Sequence, residues 1–306
     1  MATYLVTQAT GQQSQWVITH LIAAGVRINA LVRNKSKIPA ILQHPSVTLF
    51  EGESTNYEVV RQAAQDCKSV FLNTFPAPGL ESQQVNTVIR AAKDAGIKSL
   101  VVSTASKVND REYWNDEYVK GLGIHWYFEA KYETERLVRE AGFESYTILR
   151  PLWIIHDFFL PAVSFNILNF ASKGELDHAF DEGIKMAYTD AFDIGRYAAA
   201  ALQDPVKFKN AEIDLRNEAF TIKEVASVLT KVSGRTVTER KRTAEELAAA
   251  TWTKLSQGLQ MLASKKPLVD DKAAVEAVQK KFGIPFTSLE AALSRDVNRL
   301  LATIPA

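Results

Sequence analysis

The stretch Thr3–Leu21, TYLVTQATGQQSQWVITHL, decides how this chain is read. Tyr4 to Thr7 is apolar and β-prone, the mark of a strand buried on both faces. Gln13 to Ala24 follows with helical spacing, with Trp16, Val17, Leu21 and Ile22 on one apolar face and Gly25 closing it. A strand, a tight turn and a helix in this order form a pyrophosphate-holding unit when glycines stand three residues apart in the turn. One glycine makes the sharp turn, one admits the phosphate to the backbone, and one lets helix and strand pack closely. Here those positions are Gln8, Gly11 and Ser14, so one glycine of three survives. Gly11 keeps the close approach, and the helix start supplies N–H groups with a partial positive charge. Gln8 gives up cheap access to positive φ; its amide either donates to a phosphate or fills the space. Ser14 is small enough for close packing. Two outcomes stay open: a nucleotide site built from Gln8, Thr10, Gly11, Gln12 and Gln13, or a plain strand–helix turn without a ligand.

Outward from this unit the chain alternates. Strands are expected at Arg27–Arg33, Val47–Phe50, Ser69–Asn73, Ser99–Ser103 and Ser145–Leu149. Helices are expected at Lys37–Gln43, Asn56–Cys67, Gln83–Ala95 and Tyr127–Ala141. Strands separated by single helices imply right-handed crossovers and a parallel sheet, hence an α/β, Rossmann-type doubly wound fold over residues 1–151. After Pro151 helices dominate: Leu160–Ala171, Ala191–Gln203, Ile222–Ser233, Ala244–Ala263, Ala273–Phe282 and Ser288–Ala302. Short strands are expected near Ile184–Ala187 and Ala211–Leu215. Residues 152–306 therefore read as a smaller, mainly helical C-terminal lobe that closes over the carboxyl edge of the sheet and returns strands to it.

Composition narrows the function classes. The chain has 306 residues, 46% hydrophobic and 23% charged, with a formal net charge of +1. These are ordinary values for a globular enzyme, and no long basic run offers the phosphate contacts nucleic acid needs. Arg240-Lys241-Arg242 reads as a solvated approach to a helix, with Glu245 and Glu246 close behind. Cys67 is the only cysteine, so neither an intrachain disulfide nor a cysteine-rich metal site is expected, and no His/Asp/Glu spacing resembles a metal site. The start of the chain has no signal-peptide pattern, and no run reaches the roughly 20 apolar residues of a membrane span. A cytoplasmic protein without a membrane or nucleic-acid partner is the expectation.

Several phrases then converge: TQATGQQS, ALVRNKSK (Ala30–Lys37), SVFLNTFPAP (Ser69–Pro78), SLVVSTAS (Ser99–Ser106), FEAKYETERLVREAGFESYTILRP (Phe128–Pro151), MAYTDAFDIGRYAAAALQDP and FTIKEVASVLTKVSGRTV. Together they resemble the NmrA-like family, atypical members of the short-chain dehydrogenase/reductase superfamily, along nearly the whole chain. The resemblance implies a Rossmann fold with a smaller lobe. It implies one of several functions: an NADP(H)-dependent reductase, an isomerase- or lyase-like enzyme, or a redox-sensing regulator.

Arg33 ends the second strand, where an arginine favours the 2′-phosphate of NADP and an acidic residue would favour NAD. Lys35 and Lys37 add positive charge. The resemblance further implies an adenine contact at Glu53 and a ribose–nicotinamide path along Asn73, Thr74 and Phe75. Tyr127 and Lys131 share a helix face four residues apart. In the wider superfamily such a lysine holds the cofactor ribose and lowers the tyrosine pKa, and the tyrosine moves a proton to or from the substrate oxygen. Ser103 resembles the hydroxyl that polarises the substrate, with Thr104 and Ser106 as competitors. Many family members carry histidine where Tyr127 stands, which leaves Lys131 the firmer carry-over and Tyr127 open to a packing role beside Trp126 and Phe128. His156 and Asp157 follow the sixth strand, where His156 is either a general acid or base or a structural histidine. Asn109–His125, rich in aromatics, is expected as a lid or substrate wall, and Trp153, Phe158 and Phe159 as an aromatic pocket. Thr104, Trp153, His156 and Phe159 are the expected substrate contacts.

The expected function is an NADP(H)-dependent oxidoreductase acting on a small or medium hydrophobic carbonyl or aromatic substrate. Two rivals remain. An NADP(H)-sensing regulator would bind nucleotide and a protein partner without turnover. An isomerase, cyclase or lyase that has lost the cofactor would use the former nicotinamide cleft for substrate.

Overall fold

A computed structural model of the chain describes residues 1–251, 254–268 and 271–306. It divides into two compact units that interleave along the sequence. The first comprises Met1–Asn109, Trp126–Pro151 and Ala191–Leu215; the second comprises Asp110–His125, Leu152–Asp190 and Arg216–Ala306. The linear boundary after residue 151 does not match this division. Ala191–Leu215 belongs with the first unit because its strand, Ala211–Leu215, pairs in parallel with the strand ending at Pro151.

The first unit is built on β1 (Thr3–Val6), β2 (Arg27–Val32), β3 (Val47–Glu51), β4 (Cys67–Leu72), β5 (Ser99–Ser103) and β6 (Ser145–Pro151). With Ala211–Leu215 they form a seven-stranded sheet in the order Ala211–Leu215, β6, β5, β4, β1, β2, β3, every pair parallel. The chain runs outward from β1 to β3 and returns to β4 beside β1. That reversal opens a crevice at the carboxyl ends of β1 and β4, the ligand position of doubly wound sheets.

Three helices, α1 (Gln12–Ala23), α2 (Tyr57–Ala64) and α3 (Leu80–Asp94), connect the early strands. The buried face of α1 is Ser14, Val17, Ile18 and Leu21, positions i, i+3, i+4 and i+7 of one helix face, which leaves Trp16 and Ile22 of the expected face only partly buried. Val60 and Ala63 of α2, Val85, Val88 and Ala92 of α3 and Val138 of the helix His125–Glu140 join Leu5, Leu31 and Val70 in one core. Helix α1 packs instead on Ala191–Gln203. A methyl group at Gly195 would lie 2.6 Å from the Trp16 backbone, so only glycine admits this approach.

Some expected elements shorten for identifiable reasons. Lys37–Gln43 reduces to a single 3-10 turn, Ala40–Gln43, because Pro39 disfavours helical geometry at the residue before it. The expected helix Asn56–Cys67 ends at Ala64: Asp66 turns to φ 60° and Cys67 already begins β4.

The second unit, taken by itself, gathers Phe158, Phe159, Phe170, Leu176, Tyr188, Val225, Leu229, Leu289, Leu293 and Leu300 into a core. The strand expected near Ile184–Ala187 is present as Lys185–Thr189, and it is joined by strands absent from the sequence reading. Trp153–Ile154, Lys185–Thr189 and Ala219–Thr221 form one small sheet, and Glu175–His178 pairs in parallel with Thr238–Lys241. The basic run thus ends a strand and leads, through Thr243, into the helix Ala244–Ala249, but it is not simply a solvated approach. Arg240 pairs with Glu175 and Glu246, Lys241 with Asp181, and Arg242 is buried against Asp177 at 2.6 Å. The expected helix Leu160–Ala171 is replaced by the short turns Val163–Asn166 and Phe170–Lys173. Of Ala244–Ala263, the described part is helical over Ala244–Ala249 and from Lys254, with Ala250 extended; residues 252 and 253 lie outside the described set.

Candidate functional site

The loop after β1 settles how the two lost glycines are replaced. Gln8 stands at φ 45°, the left-handed conformation that the first glycine would have supplied. A side chain there costs on the order of 1 kcal/mol, and the turn keeps its shape nonetheless: the Gly11 N–H donates to the Gln8 carbonyl at 2.8 Å. Gly11 itself has an ordinary extended backbone, φ −73° and ψ 151°. A Cβ there would sit tightly, 3.2 Å from the Gln8 carbonyl oxygen, so glycine eases the close packing of the turn. Ser14 is fully buried and donates its hydroxyl to the Thr7 carbonyl at 2.9 Å, so the third position packs tightly with its polar atom satisfied. Helix α1 starts without a capping side chain and without an acid in its first turn. Its first N–H groups therefore meet no competing negative charge at an end that favours anions.

Thr10, Gln12 and Gln13 are half-buried around this turn. Gln8 Nε2 leans toward Gln84 Oε1 at 3.5 Å, and Gln84 Oε1 accepts the Phe75 N–H at 3.0 Å. Across the crevice, the Thr7 hydroxyl donates to the carbonyls of Phe71 and Asn73 and accepts the Asn73 N–H at 2.9 Å, tying the ends of β1 and β4 together. Asn73 and Thr74 are buried, and Phe75 is 54% exposed. Arg33 and Lys37 are exposed beyond β2 and make no ion pair among the described residues; Glu53 is exposed beyond β3.

Ser103 ends β5 and donates its hydroxyl to Gln13 Oε1 at 2.7 Å. Thr104, expected as a substrate contact or alternative hydroxyl, is committed elsewhere. It is buried and donates to Glu135 Oε1 at 2.8 Å, within a network in which Arg150 also grips Glu135 and Glu212. Lys131 is buried too. Its Nζ donates to Glu81 Oε1 at 2.6 Å and to Thr74 Oγ1 at 3.3 Å, and Thr74 Oγ1 donates to the same Glu81 oxygen. Tyr127, one turn earlier on the same helix, is half-buried, with its ring edge-on to Trp126 and Phe128. The crevice thus collects Gln8, Gly11, Gln13, Gln84, Asn73, Thr74 and Ser103 at the ends of β1, β4 and β5, with Glu81 and Lys131 bonded beneath Thr74.

Glu81 and Gln84 were not foreseen from the sequence. An acid in a helix's first turn is ordinary helix-end chemistry, and only the spatial meeting with Lys131 distinguishes Glu81.

The remaining expected residues belong to the second unit. His156 is half-buried, and its Nδ1 is buried without a hydrogen-bond partner among the described residues. Burial, helped by the Arg299 charge, pushes its pKa down to about 4, so it is neutral at pH 7 and holds no proton to give as an imidazolium. Burial pushes the neighbouring Asp157 up to about 7. The expected aromatic pocket is nearly filled: Trp153, Asp157, Phe158, Phe180 and Tyr188 line a cavity of about 20 Å³, room for about one water. Phe159 lies in the core under the Arg299 guanidinium, 4.7 Å from its ring centre. The expected lid is two short helices, Arg111–Trp114 and Glu117–Gly121, capped by Asp110 and Asp116. Lys266 fastens them, donating to the Tyr113 carbonyl at 2.7 Å and to Asp116 at 2.6 Å. Among the described residues no His/Cys/Asp/Glu group fits a metal ion, and no helix is long and apolar enough to cross a membrane.

The strand order and the turn at the β1–β4 crevice define a Rossmann-type α/β protein. The model of the NmrA-like family matches residues 2–290, and the chain belongs to that family. Quinone oxidoreductase 2 of Escherichia coli (strain K12) is 26% identical over 303 residues, covering 96% of this chain and 98% of that protein. Agroclavine dehydrogenase of Claviceps fusiformis is 26% identical over 249 residues, 81% and 79% of the two chains. Two solved structures share the fold. The NADPH-dependent quinone oxidoreductase of Escherichia coli complexed with NADPH has a TM-score of 0.74 at 23% identity, covering 95% of this chain and 99% of that one. NmrA, a negative transcriptional regulator in complex with NADP, has a TM-score of 0.74 at 20% identity, covering 97% and 95%.

Proposed function

We propose that this chain binds NADP(H) and reduces a hydrophobic carbonyl or quinone-type substrate. The observation that carries this reading is the backbone of Gln8: the turn keeps its left-handed geometry although the glycine is gone. The residues present fit a dinucleotide. Gln12 and Gln13 offer N–H groups at the start of α1 to the pyrophosphate. Arg33 and Lys37 supply cations for a 2′-phosphate that make no ion pair among the described residues, and Asn73, Thr74 and Phe75 border the path to the nicotinamide. Glu53 stands where an adenine contact is expected. When bound, the nucleotide supplies the hydride. Ser103 turns its O–H from Gln13 toward the substrate oxygen and orients it, Tyr127 moves the proton, and Lys131 stands behind them as a fixed cation. The full-length likeness to a quinone oxidoreductase supports the substrate class.

Calorimetric titration with NADPH and NADH, followed by NADPH oxidation with a panel of benzo- and naphthoquinones, tests the reading. Micromolar NADPH binding, weaker NADH binding and quinone-dependent oxidation are expected. Arg33→Ala should weaken NADPH about tenfold, the worth of one charge-assisted hydrogen bond, and leave NADH unchanged. No affinity for either nucleotide sinks the proposal. A second reading, NADP(H) sensing without turnover, is favoured by one observation: the Lys131 charge is met by Glu81 and the Ser103 proton by Gln13. It predicts binding with no oxidation of NADPH by any quinone.

A further inference from the structure

Within the second unit, Leu168, Asp177, Arg242, Glu246, Ala249 and Ala250 border a cavity of about 270 Å³. Small-molecule sites begin at about 300 Å³, so the space suits a ligand of one ring or two. No residue assigned above to the nucleotide or the substrate borders it. Arg242 is the one cation on its wall among the described residues, with a side chain 3% exposed. The guanidinium is held on two sides: Nε donates to Asp177 Oδ2 at 2.6 Å and Nη1 to Gln257 Oε1 at 3.3 Å.

The acceptors around the cavity already have donors. Asp177 Oδ1 accepts the Asn169 N–H at 2.8 Å, and Oδ2 accepts from Arg242. Glu246 accepts from Arg240 on both oxygens, at 2.7 Å and 2.9 Å. A ligand therefore needs to bring no donor. A guanidinium has donors only, five in one plane, so an oxygen acceptor is the polar group that suits this wall. Charge narrows the choice. Asp177 neutralises Arg242, while Glu246 and Glu175 share Arg240. A carboxylate would enter beside two others and be stripped of water for no net attraction, whereas a neutral carbonyl adds no charge. Leu168, 54% exposed, gains burial from an apolar body, and Ala249 and Ala250 leave room for one. A flat body suits the planar guanidinium.

We propose that this cavity binds a small neutral aromatic ketone or a planar carbonyl compound like it. The carbonyl oxygen accepts from Arg242, and the ring lies against Leu168, Ala249 and Ala250. The site shares no residue with the nucleotide reading and stands or falls without it.

The test titrates the full chain, without nucleotide, with acetophenone, ethylbenzene and benzoate, read by saturation-transfer NMR and calorimetry. The probes share a ring and differ in the group offered to Arg242. Acetophenone should bind about tenfold more tightly than ethylbenzene, the worth of a hydrogen bond to a charged group, and more tightly than benzoate. Ala250→Leu enlarges a side chain on the cavity wall and should lower acetophenone affinity at least tenfold. Should that variant not fold, Ala249→Leu, at an exposed helix position on the same cavity, is expected to do the same. Acetophenone binding that neither variant weakens lies elsewhere on the chain; it overturns this inference and leaves the nucleotide reading untouched. Ethylbenzene or benzoate binding as tightly as acetophenone overturns the part given to Arg242 and the ligand class with it. No saturable binding of acetophenone overturns the site outright.

Discussion

Gln8 carries its side chain at φ 45°, where glycine is cheap and other residues are strained. Gln8→Gly should therefore raise stability by roughly 0.5–1 kcal/mol in denaturant melts, the relief slightly exceeding the added freedom of the unfolded chain. NADPH affinity should not fall, because the loop already has the required shape. His156 and Asp157 give opposite pH dependences. The imidazole's folded pKa is lowered to about 4, so its stabilisation is complete above its unfolded value, about 6.5, and is lost as pH falls toward 4. The carboxyl's folded pKa is raised to about 7, so stability is lost as pH rises from about 4 to 7. Asp157→Asn should be neutral at pH 4 and stabilising at pH 8. The Asp157 side chain is 32% exposed, and solvent screening limits the gain to roughly 1–2 kcal/mol. Chemical melts at the two pH values check this; equal stability changes would show that Asp157 is not held protonated. At this scale the sequence made Lys131 visible through its spacing from Tyr127. It did not reveal Glu81, whose meaning lies in a partner 50 residues away.

Among the elements, the pairing of α1 with Ala191–Gln203 depends on one absent atom. Gly195→Ala would place a Cβ 2.6 Å from Trp16 backbone and side-chain atoms. A clash with backbone cannot be relieved by a rotamer change, so a loss of about 2–3 kcal/mol is expected in thermal and urea melts. The helix Ile222–Ser233 opens with a complete capping box, in which Thr221 and Glu224 satisfy each other's backbone N–H groups. Thr221→Ala should cost about 1 kcal/mol. Periodicity found the strands of the first unit and the helices Ala191–Gln203 and Ile222–Ser233, because each presents a regular apolar face to a large core. It failed over Leu160–Ala171, where the apolar count is high but the chain is drawn into contacts no period encodes, such as the Asn169 N–H donated to Asp177 at 2.8 Å. Of the short strands of the second unit, the one near Ile184–Ala187 was legible and the others were missed because two to four residues leave too little alternation to read.

For the whole molecule, the interleaving of the two units ties folding of the sheet to residues far apart in sequence. Ala211–Leu215 must come back to β6 across the segment Leu152–Asp190 of the second unit. A ligand that binds only the folded chain stabilises it by an amount that grows with the logarithm of its concentration relative to Kd. NADPH at a hundred times its Kd should add about 2.7 kcal/mol, seen as a rise in Tm that NADH at the same concentration does not match. The same concentration series with 2′,5′-ADP separates the adenine half of the site from the nicotinamide half.

The amino-acid sequence by itself determined the parallel α/β architecture, the place of the turn after β1, and the basic end of β2. Each of these is local: burial period, turn residues and charge are read within a dozen residues. Only the tertiary structure decided that Gln8 holds the left-handed turn, that Gly195 rather than the third loop position gives a helix its closest approach, and that Lys131 is bonded to Glu81. These depend on residues brought together from separate βα units, and a pairwise contact between distant segments leaves no period in either of them.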